Sequence, residues 1–169
     1  AVAAEGRGPV FYSQRRVGRG GREFRFWKFR SMVADADRIK AELAERNEAE
    51  GPIFKMKADP RVTRVGRLLR RASLDELPQF WNVLKGDMSL VGPRPHLPSE
   101  VATYTEEQLV RLSVQPGLIC FREVSGRSNL SFERWIALDL HYVRCRSLRT
   151  DLSILCRALP AVLRGDGAY

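Results

Sequence analysis

Two histidines and three cysteines are all that this chain of 169 residues offers for imidazole or thiol chemistry. His96 and His141 stand far apart, and Cys120, Cys145 and Cys156 form no Cys-x-x-Cys pair. That spacing argues against a zinc site, and a Ser-His-Asp hydrolase would have almost no histidine to draw on. The cysteines read as small apolar residues of a reducing compartment. Lysine is scarce as well, five against 24 arginines. No apolar run reaches the roughly 18 residues of a membrane-crossing helix, and no apolar h-region near Ala1 marks a signal peptide. Internal repeats and low-complexity tracts are absent.

What is present is a foldable chain. At 44% hydrophobic residues it can bury a core, so it does not read as disordered. Its length suits a single domain over residues 1–169. The start, AVAAEGRGPVFYSQ, reads as an entry into structure from something upstream. Net charge is +9 and the pI about 10.1, which favours anionic partners: phosphorylated substrates, nucleic acid or an acidic membrane face. Arginine is the better bidentate phosphate binder. A GC-rich genome also inflates arginine and alanine, so each arginine has to argue for itself.

The order of elements predicts an α+β fold, helix-dominated and compact. VFYSQRRVGRGGREFRFWKF reads as a β-hairpin around Gly18-Arg19-Gly20-Gly21. Its run of Phe24, Phe26, Trp27 and Phe29 interleaved with Arg25 and Lys28 is either a base-stacking strand or a half-buried one with a polar face. Residues 33–50 are rich in helix formers but poor in apolar periodicity, an exposed helix ending at Gly51-Pro52. FKMKADPRV is extended and broken at Pro60. VTRVGRLLRR is helical, with Val62, Val65, Leu68 and Leu69 as its stripe. SEVATYTEEQLVRLS is helical, VQPGLICFREV holds a turn and short strand, and two amphipathic helices close the chain. The last one aligns Leu148, Leu152, Leu155, Leu159 and Val162 near Arg149, Arg157 and Arg164. Such helices suit an anionic membrane surface or, equally on pattern, a soluble core.

The stretch SLDELPQFWNVLKGDMSLVGPRP carries two adjacent acids, Asp75 and Glu76. Ser73-Leu74-Asp75-Glu76 fits a capping box, with Ser73 starting the helix and Glu76 reaching back to its amide. The helix dipole favours Asp75 in the first turn. Local physics therefore accounts for both acids without any function. The same placement also suits chemistry, because a helix N-terminus attracts phosphate and an ionised carboxylate serves as nucleophile or Mg²⁺ ligand. Downstream, Pro93 and Pro95 stiffen the loop that presents Arg94.

Taken together, FYSQRRVGRGG, FWKFRSM, DPRVTRVGRLLRRASLDELPQFWNVLKGDMSLVGPRP, QPGL, VSGRSNLSFERW, LDLHYV and LRGDGAY resemble the bacterial sugar transferases, the monotopic polyprenyl-phosphate phosphoglycosyl transferases. The resemblance runs through nearly the whole chain. It implies transfer of a sugar-1-phosphate from a nucleotide diphosphate sugar, usually UDP-linked, to undecaprenyl phosphate, with UMP released. This is the first membrane step of exopolysaccharide, capsule, O-antigen or glycoprotein glycan synthesis, on the cytoplasmic side of the bacterial inner membrane. It implies catalytic roles for Asp75, as the nucleophile that forms a phosphosugar-aspartyl intermediate, and for Glu76, which supports the metal or a proton transfer, with Mg²⁺ held by this pair. Arg94 in Pro93-Arg94-Pro95 and Arg127 in Val-Ser-Gly-Arg resemble the family's nucleotide-pocket motifs, and with Pro93 and Arg70 they make the expected substrate-binding set; Arg70 could equally be a solvated face of its helix, and Arg71 and Lys85 are weaker candidates. Phosphoryl transfer from a pyrophosphate needs charge neutralisation above all, which fits that choice.

Two departures stand out. Gln115 occupies the place where the family usually has Arg or Lys before Pro-Gly, and Ile119 to Val124 (ICFREV) replaces its Thr-Gly-Trp-like run. The family's N-terminal re-entrant hydrophobic segment is expected to precede Ala1. Rival readings are a basic nucleic-acid-binding module, for which no motif is present and no acidic pair is expected, and a non-catalytic membrane scaffold. The expected partners are thus a UDP-sugar, undecaprenyl phosphate and the membrane surface, with no nucleic acid. Oligomeric state is open, a homodimer being one option.

Overall fold

A computed structural model describes residues 1–48, 51–54, 56, 58–125 and 130–164. The hairpin pairs β1 (Phe11–Val17) antiparallel with β2 (Glu23–Phe29). Gly20 and Gly21 take left-handed φ values of 66° and 80° in its turn, a conformation open to glycine at no steric cost. Phe11 and Phe29 stack across the open end with ring centroids 5.3 Å apart. The expected helix over 33–50 is realised as α1 (Ala36–Glu42) and a following 3-10 turn, Ala44–Arg46. It buries no residue, so little beyond local propensity supports a longer one.

Chain 64–124 forms α2 (Arg64–Arg71), a 3-10 turn Leu74–Glu76, α3 (Gln79–Leu84), β3 (Ser89–Val91), α4 (Pro98–Val101), α5 (Glu106–Leu109), a 3-10 turn Val110–Ser113, β4 (Gly117–Ile119) and α6 (Phe121–Val124). The helix expected over 99–113 is therefore broken into short pieces, restarted at Thr105, which accepts a hydrogen bond from the Gln108 amide in a capping box. Two long helices finish the chain, α7 (Phe132–Cys145) and α8 (Leu148–Arg164). Among the described residues no helix is long and apolar enough to cross a membrane.

Three fastenings position the site. Asn82 on α3 is fully buried; its Nδ2 donates to the Arg25 carbonyl at 2.7 Å and its Oδ1 accepts from the Trp27 amide at 3.2 Å. The helix is thereby hydrogen-bonded to the outer edge of β2. At α2, Thr63 caps the helix through the Gly66 amide, and Gly66 packs so closely on Ser31 that an added Cβ would lie 2.0 Å from its carbonyl oxygen. Glu5 reaches in from the N-terminal segment to accept from the Val65 amide. The third fastening is the parallel pair β3–β4, where Gly92 and Gly117 touch backbone to backbone. Behind it Val91, Val114, Tyr142 and Ile154 form the core. On α8 this buries Ile154 and Ala158 and leaves Leu148 and Leu152 exposed, so the helix has a core face and a second, apolar outer face.

Candidate functional site

The two acids do not cap a helix. Ser73 adopts left-handed φ 55°, ψ 18°, and it is the one non-glycine residue with positive φ among those described. Such a conformation costs a side-chain-bearing residue roughly 1–2 kcal/mol. The Ser73 amide donates to the Arg70 carbonyl at 2.9 Å, closing α2, and its side chain makes no cap bond. α3 starts six residues later, at Gln79 behind Pro78. The expected capping box is thus absent: Ser73 leads only into the 3-10 turn Leu74–Glu76, and its side chain makes no cap bond there. The chain reverses there and turns Asp75 and Glu76 toward the hairpin.

Glu76 finds its partners in other elements. Lys28 on β2 donates to Oε1 at 2.8 Å, and the Arg94 guanidinium lies across both oxygens at 2.5 and 3.2 Å. Burial pushes the Glu76 carboxyl up, but the charges of Arg94 and Lys28 and their hydrogen bonds outweigh that and hold it well below the usual carboxylate range. Arg94 is correspondingly raised: burial opposes its charge and Glu76 more than compensates. Asp75 is 5% exposed. Its Oδ2 lies 3.6 Å from the Lys28 ammonium, and among the described residues no hydrogen bond reaches its carboxylate. One acid is therefore saturated by cations, and its neighbour stands beside a shared cation with no hydrogen bond to its oxygens among the described residues.

Phe26 completes the arrangement. This fully buried ring has three cations at its margin, Arg16, Lys28 and Arg94, at 5.5, 5.7 and 5.6 Å from the centroid. Cation–π attraction orients groups that would otherwise repel one another. Arg16 feels the crowding: burial first, then Arg94, brings it down to about 10.

The remaining expected residues divide. Pro93 is buried and its carbonyl accepts from the Gly117 amide at 2.9 Å. Arg70 lies near the acids, with Asp75 and Glu76 among its charge partners, while its Nε donates to the Ser31 hydroxyl at 2.9 Å. Arg127 lies outside the described residues. Arg71 is exposed on α2, and Lys85 pairs with Asp87 at 3.3 Å, half-exposed. The atypical loop abuts the site: Glu123 caps α6 by accepting from the Cys120 amide at 2.9 Å, and burial is outweighed by Arg122 and Arg94 in keeping it ionised. Gln115 donates to the Gly86 carbonyl. A cavity of about 230 Å³ under the N-terminal segment, lined by Val2, Glu5, Arg30 and Thr63, includes neither acid.

A family profile described as "Bacterial sugar transferase" matches residues 1–165. The chain belongs to the bacterial sugar transferase family. It is 48% identical over 162 residues to the galactosyl transferase CpsE of Streptococcus agalactiae serotype III (strain NEM316), an alignment covering 95% of this chain and 36% of that protein. It is 44% identical over 170 residues to the undecaprenyl-phosphate galactose phosphotransferase of Salmonella typhimurium, covering 96% and 35%. With the UDP-glucose:undecaprenyl-phosphate glucose-1-phosphate transferase of Caulobacter vibrioides it shares 40% over 177 residues, covering 100% and 62%. The chain spans about a third of the length of the first two relatives.

For this sugar transferase chain, reading the sequence missed Lys28 as a site residue. A signal existed: Lys28 shares its strand face with Phe24 and Phe26, so a cation sits in register with inward-facing rings. No cluster of three or more His, Cys, Asp or Glu side chains suited to a metal occurs among the described residues. Adjacent carboxylates nonetheless fit magnesium, which takes one or two carboxylates and completes its shell with water and substrate phosphate. Asp75 would be the first such ligand, and Glu76 would join by loosening Lys28 or Arg94.

Proposed function

We propose that this chain is the catalytic domain of a phosphoglycosyl transferase that moves a sugar-1-phosphate from a UDP-sugar to undecaprenyl phosphate and releases UMP, beginning a surface glycan. The observation that carries the reading is the asymmetry of the acids: Glu76 is neutralised by Lys28 and Arg94, while Asp75 is buried 3.6 Å from Lys28 and accepts no hydrogen bond among the described residues. The names of the Salmonella and Caulobacter relatives support the acceptor and the donor class.

In the first step an Asp75 carboxylate oxygen attacks the phosphorus that bears the sugar. The bond from that phosphorus to the bridging oxygen breaks, and UMP leaves with the electron pair. In the second, a phosphate oxygen of the lipid attacks the same phosphorus and the Asp75 carboxylate departs, leaving a sugar-diphosphate lipid. Two steps let one site serve a soluble and a lipid substrate in turn. Lys28, Arg70 and Arg94 face the charge that develops on the phosphoryl oxygens, fixed in advance by Glu76, Ser31 and Phe26. Magnesium, when bound by Asp75 with or without Glu76, supplies further neutralisation of phosphate charge. Intact mass of the membrane-anchored protein after exposure to a panel of UDP-sugars tests the reading: a phosphohexose adduct on Asp75 is expected, and its absence under turnover would refute the covalent route.

Contact with a membrane surface, at the cytoplasmic face of the inner membrane on this reading, has support in the exposed side chains. Leu74, Leu77, Phe80, Trp81 and Leu84, on the acids' turn and on α3, are 44%, 47%, 47%, 59% and 80% exposed. Leu68 of α2 adds 68%, with exposed Arg64, Arg67 and Arg71 on the same helix. Apolar side chains flanked by arginine match an acyl and anionic headgroup boundary. Paired Trp81→Glu and Leu84→Glu substitutions are expected to weaken partitioning onto anionic vesicles by at least about tenfold, since each buried side chain is worth about 2 kcal/mol. Flotation assays check this, with Leu148→Glu on α8 as the comparison.

A further inference from the structure

We infer that Arg111, itself held by Asp139, positions Arg94 for the reaction by gripping the Pro-Arg-Pro loop through a backbone carbonyl. The inference rests on the phosphoglycosyl transfer reading above.

Proline has no N–H, so within residues 93–95 only Arg94 carries a backbone donor. Such a loop has to be held through its acceptors. Four successive carbonyls are each engaged: Pro93 by the Gly117 amide at 2.9 Å, Arg94 by Arg111 Nη2 at 2.7 Å, Pro95 by Arg16 Nη1 at 3.3 Å and His96 by the Val17 amide at 2.9 Å. Two of the four donors are side chains brought from elsewhere in the fold.

Arg111 is the deeper of the two, 3% exposed in the 3-10 turn Val110–Ser113. Its fork serves three elements at once: the Arg94 carbonyl, the Tyr104 hydroxyl and Asp139 Oδ2 on α7. Tyr104 in turn hydrogen-bonds to Nδ1 of His96, so the loop is held at both 94 and 96. A lysine cannot reproduce this planar, three-way grip. Asp139 is 1% exposed; it supplies the counter-charge without which a desolvated guanidinium is strongly unfavourable. No member of this cluster touches Asp75 or Glu76. The cluster acts through the place it gives Arg94, whose guanidinium must span both Glu76 oxygens. Misplacing such a group by about 1 Å costs on the order of a hundredfold in rate.

The test uses the full-length, membrane-embedded enzyme. Asp139→Asn keeps the shape and removes the charge. UMP release is expected to fall at least about tenfold, yet by less than about twofold when the same change is made in an Arg94→Lys background, where no fork remains to be placed. Equal losses in both backgrounds, or a wild-type rate for Asp139→Asn, would overturn the inference. A second readout needs no turnover: amide hydrogen exchange at Gly117 and Val17, whose N–H groups donate into the loop, against Arg67 on α2. Exchange in Asp139→Asn at least about tenfold faster at the first two, with Arg67 unchanged, is the expected result. Uniform acceleration or no change at all counts against it. If the wild type releases no UMP, the functional reading fails, and the exchange data still decide whether the loop is clamped. Should Asp139→Asn not accumulate, Tyr104→Phe keeps the ion pair and removes the hydroxyl that links Arg111 to His96; faster exchange at Val17 then supports the clamp, and wild-type exchange there refutes it.

Discussion

Replacing Asp75 with asparagine in the full-length, membrane-anchored enzyme is expected to cut UMP release by more than about a thousandfold, the scale on which nucleophile deletions act. The fold should survive. Asp75 accepts no hydrogen bond among the described residues, and Lys28 keeps its shorter contact, 2.8 Å to Glu76 against 3.6 Å to Asp75. Thermal unfolding should therefore shift little while the phosphohexose adduct disappears. Asp75→Ala, which cannot revert to an acid by deamidation, should behave the same way. A variant that kept a tenth of the wild-type rate would show that Asp75 does not form the covalent bond, and the site would then need another nucleophile or a direct transfer between substrates.

The second large effect is expected at Arg94. Arg94→Ala leaves Glu76 with Lys28 alone and removes one of three cations from around Phe26. Breaking one side of a buried pair costs about 3–5 kcal/mol, and losing a fixed positive group from a charge-stabilising site costs about a hundredfold or more in rate. Both losses should appear, in calorimetry and in steady-state kinetics. Arg94→Lys separates them: a lysine restores a positive partner, hence most of the stability, but not the two-oxygen fork, so most of the rate deficit should persist. If Arg94→Lys recovered full activity, charge alone would matter, and the rigidity of the Pro-Arg-Pro loop would have no catalytic consequence.

The elements that local pattern controls were legible in the sequence. The glycine turn of the hairpin, α2 with its apolar spacing, and the two C-terminal helices follow from short-range rules. The site was legible in membership and not in wiring. Asp75, Glu76 and Arg94 were picked out, but the capping box that explains the acids locally is missing, since Ser73 takes a left-handed backbone conformation that the motif does not foresee. Lys28 and Asp139 were passed over because each lies in a stretch that also reads as ordinary amphipathic structure, and their partners are 48 and 28 residues away. Only tertiary packing joins them. The run 99–113 reads as one helix by composition, yet Thr105 and Gln108 form the capping box that restarts it, a short-range signal present in the sequence.

Asn82 has a consequence for how the molecule meets others of its kind. A hairpin's outer strand normally leaves alternate amides and carbonyls open, a template on which a foreign strand can register. Here one carboxamide mimics that missing strand, taking the Arg25 carbonyl and the Trp27 amide together. That border of the aromatic, β-prone ribbon therefore offers an incoming strand neither the Arg25 carbonyl nor the Trp27 amide.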